Sequence, residues 1–227
     1  MPKVQTEFTF RSEPVPWNIG EHIAVIGDTG TGKTYLMSKL ADMREHVVAL
    51  RTKPDNIKFQ DMMRVSSTAR MGHLYDTRLL VTPKFHEQAY VGATMIDKAW
   101  KQGGWTVILD ELFYITNNLR LNLFVEMLLT QGRSKRISVL TGMQRPVHVT
   151  RFALSQATHI FSFSLENKDA KFVSEATSEN MLPVLLKLDR NQFQFAHFHR
   201  LTRSIAVGNA NDLTKILRNP ITNAARK

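Results

Sequence analysis

The stretch HIAVIGDTGTGKTYLMSKL, residues 22–40, decides the fold. A β-branched apolar run leads into Gly27-Asp28-Thr29-Gly30-Thr31-Gly32-Lys33-Thr34, and an amphipathic segment follows. This is the spacing G-x-x-x-x-G-K-[ST] in the strand–loop–helix setting it needs. Glycines let successive backbone N–H groups curl around phosphate oxygens, and the helix N-terminus adds a favourable dipole. Gly27, Asp28, Thr29, Gly30, Thr31 and Gly32 are expected to wrap the phosphates of ATP. Lys33 is expected to bridge the β- and γ-phosphates, and the Thr34 hydroxyl to ligate Mg²⁺.

Outward from this loop, short apolar runs alternate with longer amphipathic segments, the pattern of an α/β domain with a mainly parallel central sheet flanked by helices. Core strands are expected at 22–26, 46–50, 79–82, 105–110, 137–141 and 159–163. Helices are expected over 32–45, 85–101, 121–131, 167–175 and 179–188. Residues 192–198 alternate Phe with polar partners and suggest a hairpin with 204–207, a small antiparallel edge near the C-terminus. One P-loop NTPase domain over 1–207 is expected, with 1–20 as an N-terminal strand or arm and 208–227 as a basic tail.

Composition narrows the function. The 227 residues are 43% apolar, enough for one well-cored domain. The polar N-terminus gives no expectation of a secretory signal, and no apolar window approaches a membrane span. The absence of cysteine excludes disulfides and thiolate metal sites, consistent with a reducing interior. A net charge of +10 favours polyanionic partners.

The segment GGWTVILDELF, residues 103–113, runs apolar from Trp105 to Leu109 and then delivers Asp110 and Glu111. A continuous apolar run marks a parallel strand buried on both faces, and ligands sit beyond the carboxyl ends of such strands. Asp110 is therefore expected at the metal and Glu111 as the general base that activates water. Beside a P-loop, a Glu after the Asp favours hydrolysis over nucleotide binding alone.

The segment GRSKRISVLTGMQRP, residues 132–146, puts Arg133, Lys135 and Arg136 at the end of an apolar helix that reads as largely buried. Gly132 is expected to end that helix. A core strand then releases Gln144, which can hydrogen-bond both a γ-phosphate and the attacking water.

With SQATHIFSFSLENKDA, residues 155–170, this segment resembles the FtsK/HerA superfamily of ring-forming DNA-pumping ATPases. The resemblance covers about residues 20–175 and is anchored on Gly27–Thr34, Asp110–Glu111, Arg133 and Gln144. It implies a RecA-like, additional-strand P-loop fold, Gln144 as γ-phosphate sensor, and Arg133 as the finger reaching a neighbour's ATP, with Arg136 as second choice. It further implies a homo-oligomeric ring, expected to be a hexamer, acting on double-stranded DNA. Small size makes the chain most similar to the genome-packaging ATPases of tailless, membrane-containing phages. That resemblance points to the bacterial host's cytoplasm or a virion's packaging vertex, with capsid-vertex or portal proteins as partners.

For DNA contact, the basic surplus between residues 51 and 84 singles out Lys53, Lys58, Arg64 and Arg70, with Arg51, Arg78 and Lys84 nearby. Two other readings stay open from sequence: a P-loop nucleoside or nucleotide kinase, and an ATP-switched DNA- or capsid-binding scaffold without significant turnover.

Overall fold

The computed structural model describes residues 15–53, 59–73, 76–149, 151–209 and 217–218. In chain order its elements are β1 (Val15–Pro16), β2 (Ile23–Ile26), α1 (Lys33–Asp42), β3 (Val47–Leu50), β4 (Met63–Val65), β5 (Arg78–Val81), α2 (Gln88–Gln102), β6 (Thr106–Leu109), α3 (Asn122–Gln131), β7 (Ser138–Met143), α4 (Arg151–Gln156), β8 (His159–Phe163), α5 (Asn167–Ala176), α6 (Met181–Leu185), β9 (Phe195–His199), β10 (Ser204–Gly208) and β11 (Leu217–Arg218).

Nine strands form one sheet in the order β10-β9-β8-β2-β7-β6-β3-β5-β4. Every pairing from β8 to β4 is parallel, while β9 and β10 add antiparallel strands at one edge. The expected α/β class and C-terminal antiparallel edge are borne out. A separate two-strand ladder joins β1 to β11, so Leu217–Arg218 within the 208–227 segment pairs with Val15–Pro16. The other residues of that tail from 210 onward, and residues 1–14, lie outside the described residues.

The strands β2, β3, β6, β7 and β8 are buried throughout because helices cover both faces. Alternation divides their side chains. Ala24 and Ile26 join Val48, Val107, Val139 and the apolar stripes of α2, α3, α5 and α6. Ile23 and Val25 turn the other way, onto Leu36, Met37 and Leu40 of α1 and onto Phe161, Phe163 and Phe195.

Several boundaries shift. Strand β7 runs two residues past the expected end, so Gln144 follows its last residue directly. Strand β4, helix α4 and a π-turn at Tyr114–Asn118 carry too little periodicity to be seen in sequence. Residues 192 and 193 are turn, Gln194 is irregular, and the strand begins at Phe195.

One expectation about α3 needs correction. The helix buries only Val125, Leu128 and Leu129, while Leu123 is 73% exposed and Phe124 37%. A helix lying on a sheet shows the sheet one side only; Leu123 falls on the far side and Phe124 on the flank of the buried stripe. Gly132 is the C-terminal cap of the helix, as expected, although not in a left-handed conformation. Its φ of −57° continues into a 3₁₀ turn over Gly132–Lys135, and the chain reverses at Arg136, whose φ is 58°. Ile137 N–H then closes back onto the Gly132 carbonyl at 2.9 Å.

Candidate active site

The P-loop connects β2 to α1 and meets its geometry at two glycines, Gly30 with φ +84° and Gly32 with φ +96°. Both values lie where side chains are strained. Thr31, fully buried, donates its hydroxyl to the Asp28 carbonyl at 2.8 Å and cinches the turn. A Cβ on Gly27 would sit 2.6 Å from the Thr31 hydroxyl. Helix α1 starts at Lys33 without a side-chain cap on its first N–H groups. Those donors converge on the loop's interior, which suits an anion.

Strand β7 lies between β2 and β6, and this placement assembles the rest of the site. Beyond β6, Asp110 is buried and accepts from the Thr34 hydroxyl at 3.3 Å through Oδ2. Its Oδ1 is buried without a hydrogen-bond partner. Burial pushes the Asp110 carboxyl up, and nearby Lys33 opposes that. A hydroxyl and a carboxylate oxygen, the latter carrying an unused buried lone-pair site, form a hard-oxygen pair. That pair fits Mg²⁺, which takes few protein ligands and keeps several waters. Among the described residues there is no cluster of three His, Cys, Asp or Glu suited to a metal.

The glycine at 142 is required by Asp110: a Cβ there would lie 2.5 Å from Asp110 Oδ1 and 2.9 Å from Met37 Sδ. Strand β7 passes that close to the carboxylate only because it carries no side chain at this point.

Glu111 adopts φ 69°, left-handed backbone in a non-glycine residue, which turns its side chain toward the P-loop. Its Oε1 accepts from the Gln144 side-chain amide and lies 2.5 Å from Lys53 Nζ and 3.9 Å from Lys33 Nζ. The Gln144 oxygen accepts from the Thr29 hydroxyl at 3.3 Å. One amide thus spans the mouth of the loop, from Thr29 on one lip to Glu111 on the other.

Lys33, Thr34, Asp110, Glu111 and Gln144 therefore meet at one place, as the motif positions require. Arg133 and Arg136 do not join them. Both are exposed on the turn ahead of β7, at the amino-terminal edge of the parallel strands, whereas the P-loop lies at the carboxyl-terminal edge. Arg133 packs instead beside Gly20, its Cγ 3.1 Å from where a Gly20 Cβ would stand.

The basic residues expected to touch DNA scatter. Lys53 sits at the Glu111 carboxylate. Arg70 pairs with Asp76 at 2.8 Å. Arg64 is exposed on the edge strand β4. Lys58 lies outside the described residues. Arg78 is tied to the end of α1 through the Ala41 and Arg44 carbonyls and Asp42.

Sequence reasoning missed three contributors. Lys53 reaches Glu111 because β3 pairs with β6 in the register Leu50–Leu109, which only sheet order reveals. Arg145, unassigned from sequence, pairs with Glu166 at 3.1 Å and Asp169 at 3.8 Å and so ties the end of β7 to α5. Arg190 donates to the Thr29 carbonyl at 3.1 Å from a distant irregular loop that carries no motif.

No protein-family model matches the chain. Over 162 residues it is 31% identical to the DNA packaging ATPase P9 of Enterobacteria phage PRD1. That alignment takes in 65% of this chain and 66% of the phage protein, just under two thirds of its length. Among solved structures, the genome packaging NTPase B204 of Sulfolobus turreted icosahedral virus 2, in complex with AMP, superposes with a TM-score of 0.67. That match has 14% identity and covers 85% of this chain and 98% of that one. VirB4 of Thermoanaerobacter pseudethanolicus superposes with a TM-score of 0.61 at 7% identity, over 83% of this chain and 88% of that one.

Proposed function

We propose that the chain belongs to the DNA-packaging ATPases of the FtsK/HerA type and is an ATP-hydrolysing motor that pumps double-stranded DNA into a preformed capsid. The observation that carries this reading is the hydrogen-bonded bridge Thr29–Gln144–Glu111 across the P-loop mouth, beside the Thr34–Asp110 pair. A binding module needs the loop alone. A carboxylate and an amide aimed at the γ-phosphate end are the parts that turn binding into hydrolysis.

In this reading the P-loop N–H groups and Lys33 hold the triphosphate. Thr34 and Asp110 would hold Mg²⁺, which when bound neutralises developing phosphate charge. Glu111 takes the proton of the attacking water, and the Gln144 amide orients that water against the γ-phosphate. When the terminal phosphate leaves, the Gln144 contacts must rearrange, and β7 carries that change back into the sheet.

Residues 1–207 act as the motor domain, working as a homo-oligomeric ring, with DNA in its channel and capsid components as the docking partner. Support for subunit contact comes from α3: its exposed Leu123 and Phe124 lie on the element that runs directly into Arg133 and Arg136. The apolar residues open the helix and the two cations follow its end, roughly 15 Å on, which suits a neighbour that spans the helix, burying the first and presenting phosphates to the second. Arg133 or Arg136 then acts in trans, where added positive charge is worth 10³–10⁵ in rate in related chemistry. No helix among the described residues is long and apolar enough to cross a membrane, which fits attachment through a partner.

The deciding experiment is steady-state ATP turnover with and without long duplex DNA. Stimulation by duplex is the expected result. Phosphate transfer to a nucleoside, or nucleotide-dependent DNA binding with no turnover, would overturn the proposal in favour of a kinase or a scaffold.

A further inference from the structure

The segment between α6 and β9 carries the chain over the P-loop. It closes on itself: Asp189 N–H donates to Gln194 Oε1 at 3.0 Å, Asn191 N–H to Asp189 Oδ1 at 2.8 Å, and Phe193 N–H to the Arg190 carbonyl at 3.2 Å. Arg190 then pins it to the nucleotide loop through the Thr29 carbonyl.

The residue this arrangement displays is Phe193. It is 52% exposed and has φ 51°, a left-handed backbone that a bulky aromatic residue rarely adopts. Its ring lies against the P-loop, with Cδ1 3.4 Å from where a Cβ on Gly32 would stand. An aromatic ring held in water, in a strained conformation, beside a phosphate loop contributes little to the core.

Sheet order says which end of a nucleotide would meet it. Glu111 and Gln144 come from β6 and β7, on one side of β2, and they mark the γ-phosphate end. Strands β8 and β9 lie on the other side of β2, and the loop carrying Phe193 leads into β9. A triphosphate whose terminal phosphate points at Gln144 therefore runs its α-phosphate, ribose and base toward Phe193.

The geometry points to Phe193 as the platform on which the base of a purine nucleotide stacks, with Arg190 positioning the loop that presents it. The inference rests on the nucleotide reading of the P-loop and adds the base-binding end of the same site. A purine offers the larger face, so ATP is held more tightly than UTP.

The test is a binding titration of the full-length chain with ATP, UTP and inorganic tripolyphosphate. Phe193→Ala is expected to weaken ATP by about tenfold, the scale of one aromatic–base stack, while leaving tripolyphosphate unchanged. Phe193→Tyr is expected to restore ATP affinity, and Phe193→Trp to give a fluorescence signal quenched by ATP and not by tripolyphosphate. Equal weakening of ATP and tripolyphosphate, or no change in either, overturns the platform while leaving the phosphate site intact. A wild-type chain that binds neither ligand overturns the nucleotide reading itself, and the platform falls with it.

Discussion

The side-chain amide of Gln144 donates to the carboxylate of Glu111 while its oxygen accepts from Thr29, so a single residue links the carboxylate strand to the P-loop. If Glu111 is the base, Glu111→Gln retains nucleotide binding and loses turnover by about 10²–10⁴. Gln144→Ala is expected to lower kcat with little change in KM, because its contact matters only when the γ-phosphate is attacked. Unchanged turnover in Glu111→Gln would falsify the assigned chemistry.

Lys53 holds the same Glu111 oxygen at 2.5 Å, and its side chain is 56% exposed. An ion pair this open to water is worth at most about 1 kcal/mol, or about fivefold in an equilibrium. Lys53→Met removes a competitor for the carboxylate, so DNA-free ATP turnover should rise, by no more than about fivefold. A fall in turnover would mean that Lys53 serves the reaction directly.

Gly142→Ala forces a methyl group to within 2.5 Å of Asp110 Oδ1. Overpacking in a buried strand costs about 1–3 kcal/mol, and here the strain falls on the candidate metal carboxylate. Expected together are a lower Tm and a higher Mg²⁺ concentration for half-maximal turnover. A lower Tm with an unaltered Mg²⁺ requirement would separate Asp110 from the metal.

The ring proposal predicts complementation. Arg133→Ala subunits retain an intact P-loop, and Lys33→Ala subunits retain an intact finger. Mixing the two inactive preparations should recover part of the turnover. Recovery with Arg136→Ala in place of Arg133→Ala would move the finger to position 136, and no recovery with either places the finger elsewhere.

Stability should fall on acidification. Burial pushes His22 down from 6.5 to about 4, with Arg133 lowering it further and a bond to the Leu129 carbonyl and nearby Glu21 opposing. Its Nδ1 accepts from Val139 N–H at 3.1 Å, a bond that a proton there would break. The unfolded chain thus takes up a proton near pH 6.5 that the folded chain refuses until about pH 4, so stability is full above that window and drains through it. Two to three pKa units correspond to about 3 kcal/mol. Glu21 extends the trend. Burial raises its carboxyl, but hydrogen bonds from His159 and Asn18 outweigh that and bring it to about 2. Urea midpoints measured at several pH values between 7.5 and 4 should show the decline, and His22→Gln should flatten it. An equal slope in the variant would put the titrating group elsewhere.

The amino-acid sequence by itself determined the P-loop, the carboxylate pair and the parallel α/β sheet. Each rests on neighbours in the chain: Gly30 and Gly32 on local φ, Asp110 and Glu111 on the apolar run just before them. Tertiary structure alone decided which strand lies beside which. Inserting β7 between β2 and β6 is what brings Gln144 to Glu111, makes glycine necessary at 142, and puts Arg133 and Arg136 at the far edge of the sheet. Lys53, Arg190 and Phe193 reach the site through strand order and a long irregular loop. Periodicity and spacing carry no record of such contacts, because they join residues whose separation along the chain is set by everything folded in between.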